Sequence, residues 1–517
     1  MKMARKYKVL QIGGNDLSSH FLTKEDVVFQ FLTTRALEDK VTYDEYLNDK
    51  AYDLIFVQTA YSQPLMKALQ NITAPYNTYI DQQFWGSKFR SEPLVRERMI
   101  RPFQYKTSEE CIHKLLALSF SGQYGDKIAP HTCIVNSRFK GDAYYDGSHA
   151  IVLTGDFGED FKPILSWQNY LVYDREKVIQ IWPEYTVTGR VEVLFTLRLL
   201  DFGTAGKFSR EFVLKGEELK RPLEIPVADE NAYILITAKA KGRGTLRVGA
   251  IHKRWSRMEM GQCILGGERY VDENREEFLH YFDPGDLKPP LNVYFSGYRT
   301  AEGFEGFYMM RKFKTPFLLI ADPRVEGGAF YLGSKSFESN IIKVIQNKLK
   351  FLGFKDDDLI LSGLSMGSFG ALYYGAQLKP AAIVVGKPLV NIGTIAECMR
   401  LKRPEEFGTA IDVLMKNEKA MDADAIQRLN RRFWNVLEQS NIKETTVAVS
   451  YMEDDDYDIE AFNMLLPLLS RQHIRVMSRS IPGRHNDDSA TITNWFVNFY
   501  NMILESRFGR VTHERKG

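Results

Sequence analysis

Short unbroken apolar runs recur along the second half of the chain, at 292–295, 317–320, 359–361, 381–385, 446–450 and 474–477. Runs this short and this continuous predict strands buried on both faces, as in a parallel sheet covered by helices. The stretches between them (336–352, 369–377, 410–415, 425–438, 459–471 and 489–505) space their apolar positions at helical intervals. Residues 263–517 therefore read as a doubly wound α/β sheet, whose ligands belong beyond the carboxyl ends of the strands.

The pattern changes twice upstream. Over residues 135–262 the period falls to two: Val191, Val193, Phe195, Leu197 and Leu199 share one face, and Ala232–Ala240 and Thr245–Ile251 alternate similarly. Short alternating strands between turn residues predict a β-sandwich. Trp167, Trp182 and Trp255 punctuate it, either as packing residues or as platforms for sugar rings. Residues 1–134 mix apolar runs at Tyr7–Ile12 and Tyr52–Val57 with helix-like segments at Lys24–Leu37, Leu65–Gln70 and Cys111–Leu118, which predicts a small N-terminal α/β domain. Gly13-Gly14 after its first strand lacks the rest of a dinucleotide fingerprint and reads as a tight turn.

Composition narrows the classes. The 517 residues are 44% hydrophobic and 26% charged, which excludes a disordered or low-complexity chain. Lys and Arg number 68 against 66 Asp and Glu, so no global positive field calls for nucleic acid. Cys111, Cys133, Cys263 and Cys398 stand at least 22 residues apart. They form neither a zinc spacing nor a disulfide framework, so no metal is expected and a cytoplasmic location is. The longest weakly charged stretch, 380–398, is broken by Lys387 and Pro388, and no basic amphipathic helix argues for direct membrane binding.

The chemistry concentrates in Gly363-Leu364-Ser365-Met366-Gly367, a G-x-S-x-G set between a predicted strand and a predicted helix. Flanking glycines let the backbone turn so sharply that the serine hydroxyl stands clear of the sheet, the arrangement of a nucleophile elbow. Serine needs a base, and the base an orienting carboxylate, in the chain order Ser, acid, His. Of nine histidines only His473, His485 and His513 follow Ser365. His473 opens an apolar run and His513 lies in a charged tail, whereas His485 sits in a polar loop after the last predicted strand. The acid belongs to the loop Glu453-Asp454-Asp455-Asp456-Tyr457-Asp458, where Asp455 is favoured, then Asp454, then Glu453, with Asp456 also open. The oxyanion hole needs the N–H of Met366 and a second from Gly297 or Tyr298, after the strand 292–295. The constellation predicts acyl transfer through an acyl-serine, to water in an esterase or to an alcohol in an acyltransferase. The fold class expected is thus α/β, with an α/β-hydrolase-like catalytic domain after the sandwich.

KVLQIGGND near the N-terminus, GLSMGSFGALYYG, SYMEDDDYD and PGRHNDD, together with the β-rich middle, resemble one family along nearly the whole chain. It is the family of second accessory secretory proteins of the accessory Sec system of Gram-positive cocci. The resemblance implies an O-acetyltransferase acting on N-acetylglucosamine of serine-rich-repeat glycoprotein adhesins before their export. It implies Ser365 as nucleophile, His485 as base and an acid within 453–456. As partners it implies the first and third accessory secretory proteins and the motor ATPase, at the cytoplasmic face of the membrane and reached through those partners. No bound cofactor is expected. The acetyl donor carries no readable signature, and acetyl-coenzyme A is a candidate. A non-catalytic export scaffold and a soluble carbohydrate esterase are the competing readings.

Overall fold

The apolar run Tyr7–Ile12 forms β1, the strand next to the edge of a five-stranded parallel sheet with β2 (Val27–Leu32), β3 (Leu54–Val57), β4 (Thr78–Asp81) and β5 (Arg101–Phe103), in the order β2-β1-β3-β4-β5. In this computed structural model, residues 5–204, 206–402 and 408–510 are described. The segment expected as a helix at Lys24–Leu37 is instead β2 between short 3-10 turns. Its Val-Val-Phe-Gln-Phe-Leu core is β-branched and aromatic, and this composition overrides the apparent helical spacing. Helices Gln63–Ile72 and Ser108–Leu118 form where expected. The Gly13-Gly14 turn has both residues at positive φ, and a Cβ on Gly14 would fall 2.6 Å from the Gln58 side chain. The turn is closed from within: Gln11 donates to the carbonyls of Gly13 and Asn15 and to Gln58.

This sheet belongs to a unit made of Met1–Gln123, Glu176–Val178 and Ser256–Gly266. The second unit, Tyr124–Arg175, Ile179–Trp255 and Gly267–Gly517, holds two further sheets. The first of these is built on β6 (Ala150–Trp167), β7 (Ile179–Asp201) and β8 (Ala232–Trp255). The strands assigned by alternation to a sandwich all join one continuous nine-stranded sheet. β7 and β8 pair from Ile179↔Trp255 to Asp201↔Ala232, and bulges between Pro183 and Tyr185 and along β6/β8 bend the pair. Alternation reports which face is buried, and it is silent on whether strands close into one sheet or two. Trp167 and Trp182 are buried, and the Trp182 ring lies between the guanidinium groups of Arg269 and Arg275. The half-buried Trp255 donates to Asp174 at 2.7 Å. These rings are engaged in packing.

The third sheet has eight strands: β9 (Gly267–Val271), β10 (Glu277–Asp283), β11 (Leu291–Phe295), β12 (Phe317–Ala321), β13 (Leu359–Leu364), β14 (Ala382–Gly386), β15 (Thr446–Met452) and β16 (Arg475–Ile481). Their order is β9-β10-β12-β11-β13-β14-β15-β16, and only β10 runs antiparallel to the rest. The six apolar runs of the sequence are β11 to β16, and every residue of β11, β12 and β14 is buried. β11 pairs with β13, with Phe295 opposite Gly363, so the loops leaving both strands emerge side by side. The strand order reverses here, the place where α/β sheets open a crevice. The chain is thus mixed α/β with several sheets.

Candidate active site

β13 carries the chain into helix α1 (Met366–Leu378) through Ser365, whose φ of 54° is strained for a side chain with a Cβ. Both flanking glycines are required by contact. A Cβ on Gly363 would lie 2.2 Å from the Gly367 carbonyl oxygen, and one on Gly367 would lie 2.1 Å from that of Phe295. The strained turn is held by hydrogen bonds on each side. Ser365 N–H donates to Gly386 at 2.8 Å, and Ser368 N–H and hydroxyl both donate to the Ser365 carbonyl. Every residue of α1 except Gln377 is buried, so its amino end is fixed by the core and its positive end lies at the turn.

Ser365 Oγ lies 2.8 Å from His485 Nε2. His485 Nδ1 lies 2.8 and 3.0 Å from the two carboxylate oxygens of Asp455. Histidine and aspartate are both nearly fully buried, and Ser365 is half-buried. The loop after β15 sorts its carboxylates by direction. Asp455 turns inward and also accepts from the amides of Tyr457 and Asp458. Asp456 accepts the backbone N–H of His485 at 3.0 Å, which anchors the histidine loop. Asp458 is buried elsewhere, accepting from Val390 and Asn391, and burial pushes its carboxyl up. Glu453 and Asp454 are exposed and stand apart from the imidazole. His473 occupies a turn at φ 58°, and His513 lies outside the described residues.

The Gly297 loop packs on the elbow, with Gly297 against the Leu364 carbonyl. Its N–H, however, donates to Glu305 Oε2 at 2.6 Å, so of the two amides expected there one is engaged by a carboxylate of its own loop. Tyr298 sits beside Gly327, and its hydroxyl bonds Glu326. Three further residues frame the site. The Tyr457 ring stacks on His485 at 4.4 Å and 4° between planes. Lys387 bonds Ser489 Oγ at 3.0 Å; burial pushes its amine down, opposed by the nearby Asp455 and Glu305. No periodicity or motif marks Glu305 or Lys387, and Tyr457, though inside SYMEDDDYD, has nothing in its sequence position to give it a role; all three lie in loops whose course only tertiary pairing fixes.

Behind the Gly297 loop, Glu302 is fully buried between the nine-stranded sheet and the eight-stranded one. It binds His252 Nδ1 and Arg254 Nε, both on β8, and Arg254 reaches on to Glu277. His252, Glu277 and Glu302 bring one ligand atom each within 4.8 Å. Arg254 already donates to both carboxylates, so their charge is paired by a guanidinium. Among the described residues no helix is long and apolar enough to cross a membrane.

Comparison with known proteins agrees in kind. Residues 7–510 match the family described as "Accessory Sec system GspB-transporter". An accessory Sec system protein of Staphylococcus aureus (strain NCTC 8325 / PS 47) is 55% identical over 99% of each chain. One from Streptococcus gordonii is 37% identical over 98% of this chain and all of its own. A solved structure, a chain of the Glycosylation Associate Protein (Gap123) complex from Streptococcus agalactiae, superposes with a TM-score of 0.89 at 33% identity, covering 98% of this chain and 100% of that one. By these matches, which run the length of the sequence, the chain belongs to the family of second accessory secretory proteins of the accessory Sec system.

Proposed function

We propose that the chain is a serine-dependent O-acetyltransferase that acetylates N-acetylglucosamine on serine-rich-repeat glycoproteins and works within their export machinery. The observation that carries the reading is the continuous chain of contacts from Ser365 Oγ through His485 to the buried Asp455. Ser365 attacks the acetyl carbonyl of an activated donor, such as an acetyl thioester, while His485 Nε2 takes the hydroxyl proton. Asp455 holds the imidazole with Nδ1–H toward itself and stabilises the imidazolium that forms. The oxyanion is held by the Met366 N–H at the amino end of α1 and by the Tyr298 N–H, since Gly297 serves Glu305. Collapse expels the donor's leaving group, which takes the proton from His485, and leaves acetyl-Ser365. A sugar hydroxyl then gives its proton to His485 and attacks the acetyl carbon, releasing the acetylated sugar and free Ser365.

Its relatives are named for the accessory Sec system, and the superposed chain comes from a glycosylation-associated complex. These names support association with the first and third accessory secretory proteins; the same reading extends it to the motor ATPase at the cytoplasmic face. The test is Ser365→Ala in the complex reconstituted with its partners. Acetyl transfer to the glycoprotein should vanish while the complex forms as before; transfer at the unaltered rate would overturn the enzymatic reading and leave the scaffold role.

A further inference from the structure

A cleft of about 750 Å³ opens between the nine-stranded sheet and the catalytic sheet, within the size range of small-ligand pockets. Its floor at one end is made by Thr300, Val325 and Glu326, from the loops that follow β11 and β12. Glu326 bonds Tyr298, which neighbours Tyr457, the ring stacked on His485. One end of the cleft is therefore separated from the His485 loop by two tyrosines, Tyr298 and Tyr457. Another part of its wall is made by Ser148 and His149, in the hairpin turn after Asp146, and by Asp412 on the helix Thr409–Glu418. That hairpin is docked tightly: Ser148 N–H donates to Asp412 at 2.8 Å, and a Cβ on Gly147 would fall 2.4 Å from the same carboxylate.

His149 lines this wall with a side chain only 5% exposed, yet neither ring nitrogen has a hydrogen-bond partner among the described residues. Asp146 and Asp412 stand 3.6 Å from its two nitrogens, too far to bond and close enough to share a bridging hydroxyl. Burying an imidazole that makes no hydrogen bond is costly even beside carboxylates, and a ligand hydroxyl set between the ring and Asp146 or Asp412 would supply the missing bond. The lining also defines the ligand's charge. Five acidic and five basic residues face the cleft, among them Arg247 and Lys416. A polyphosphate donor would meet too many carboxylates and a cationic peptide too many guanidinium and ammonium groups. A neutral ligand rich in hydroxyls suits alternating donors and acceptors.

We propose that this cleft is the acceptor subsite, holding a neutral glycan of more than one sugar unit whose leading hydroxyl reaches the acyl-serine. The assignment rests on the transferase reading for its purpose, and its test is binding, which does not need catalysis. The full-length Ser365→Ala chain is titrated calorimetrically with N-acetylglucosamine and its β-linked trimer. The trimer should bind more tightly than the monosaccharide, and His149→Ala in that background should weaken trimer binding about tenfold or more, as for a lost buried hydrogen bond. Ser148→Trp, at an exposed position on the same wall, fills the cleft without touching a core contact and should abolish the preference for the trimer. The proposal is overturned if the trimer does not bind, if both variants bind it as the parent does, or if a sugar-free serine-rich peptide displaces it. Retention of acetyl-ester turnover by Ser365→Ala would instead refute the triad and leave these binding results standing.

Discussion

His252 ties the nine-stranded sheet to the loop that carries Gly297, and its titration offers a quantitative test of that tie. Burial by itself would push the imidazole down, but the carboxylates of Glu302 and Glu184 overcome it and raise the group from 6.5 to about 9. A histidine that binds its proton more tightly when folded contributes stability that is complete below pH 6.5 and lost as the pH rises through about 9. At about 1.4 kcal/mol per pH unit the full contribution is about 3 kcal/mol, of which about 2 kcal/mol disappears between pH 6.5 and 8.5. That window is otherwise quiet among the strongly shifted acids and histidines. His280, pushed down to about 4 by burial, is neutral throughout it, and Glu276 and Glu277, buried but held near 2 by Lys416, Arg324 and Arg254, are fully ionised. The perturbation is His252→Gln, and the assay is guanidinium unfolding followed by tryptophan fluorescence at pH 6.5, 7.5 and 8.5. The stability gap between parent and variant should narrow by about 2 kcal/mol across the series. A gap that stays constant, or widens with pH, would show that His252 does not bind its proton more tightly in the fold and would leave Glu302 to Arg254 and Lys127.

Three further expectations concern the site itself. Asp455→Asn should lower kcat/KM for 4-nitrophenyl acetate by about 10⁴-fold through the wrong imidazole tautomer, whereas the exposed Asp454→Asn should stay within about threefold; the reverse ranking would reassign the acid. Gly367→Ala forces a Cβ to within 2.1 Å of the Phe295 carbonyl, so the thermal midpoint should drop by an amount matching about 1–3 kcal/mol of overpacking. An unchanged midpoint would mean that α1 and β11 are not in close contact. Tyr457→Ala removes the ring on His485 and should reduce turnover about tenfold, with Tyr457→Phe restoring it. If Phe does not rescue, the hydroxyl and not the stacked face matters.

Much of this architecture was legible because buried parallel strands advertise themselves. Each of β11 to β16 coincides with an apolar run, and the G-x-S-x-G lies between the strand and the helix it requires. Chain order left His473, His485 and His513, and the polar loop after the last strand singled out His485, while Asp455 and Asp454 differ only in which way one residue of a loop turns. That direction is decided by the amides of Tyr457 and Asp458 and by the β15/β16 pairing, none of which leaves a trace in composition. The helix expected at Lys24–Leu37 failed because short apolar runs satisfy both periods, and β-branched content should have weighed more. The single nine-stranded sheet was invisible for a different reason. Alternation is a local property, whereas the pairing of β7 with β8 over their whole length joins residues up to 76 positions apart. Glu305 and the Glu302 network share this non-local origin.

On the transferase reading proposed above, the same geometry bears on why an acyl-serine would pass its acetyl group to a sugar and not to water. Both nucleophiles would use His485 as base, so the triad is indifferent, and the outcome depends on which hydroxyl is already in position. An oriented neighbour reacts with an effective molarity of about 10⁵–10⁸ M, far above the concentration of bulk water. A glycan seated in the cleft between the two sheets would therefore outrun hydrolysis, and an empty cleft would leave water as the sole acceptor. Filling the cleft with Ser148→Trp should then raise the ratio of acetate released to acetyl transferred, measured with a labelled donor at a fixed glycan concentration. If the ratio does not move, the acceptor approaches Ser365 by another route, and the choice between transfer and hydrolysis is made at the elbow itself, where Glu305 and Gly297 already meet.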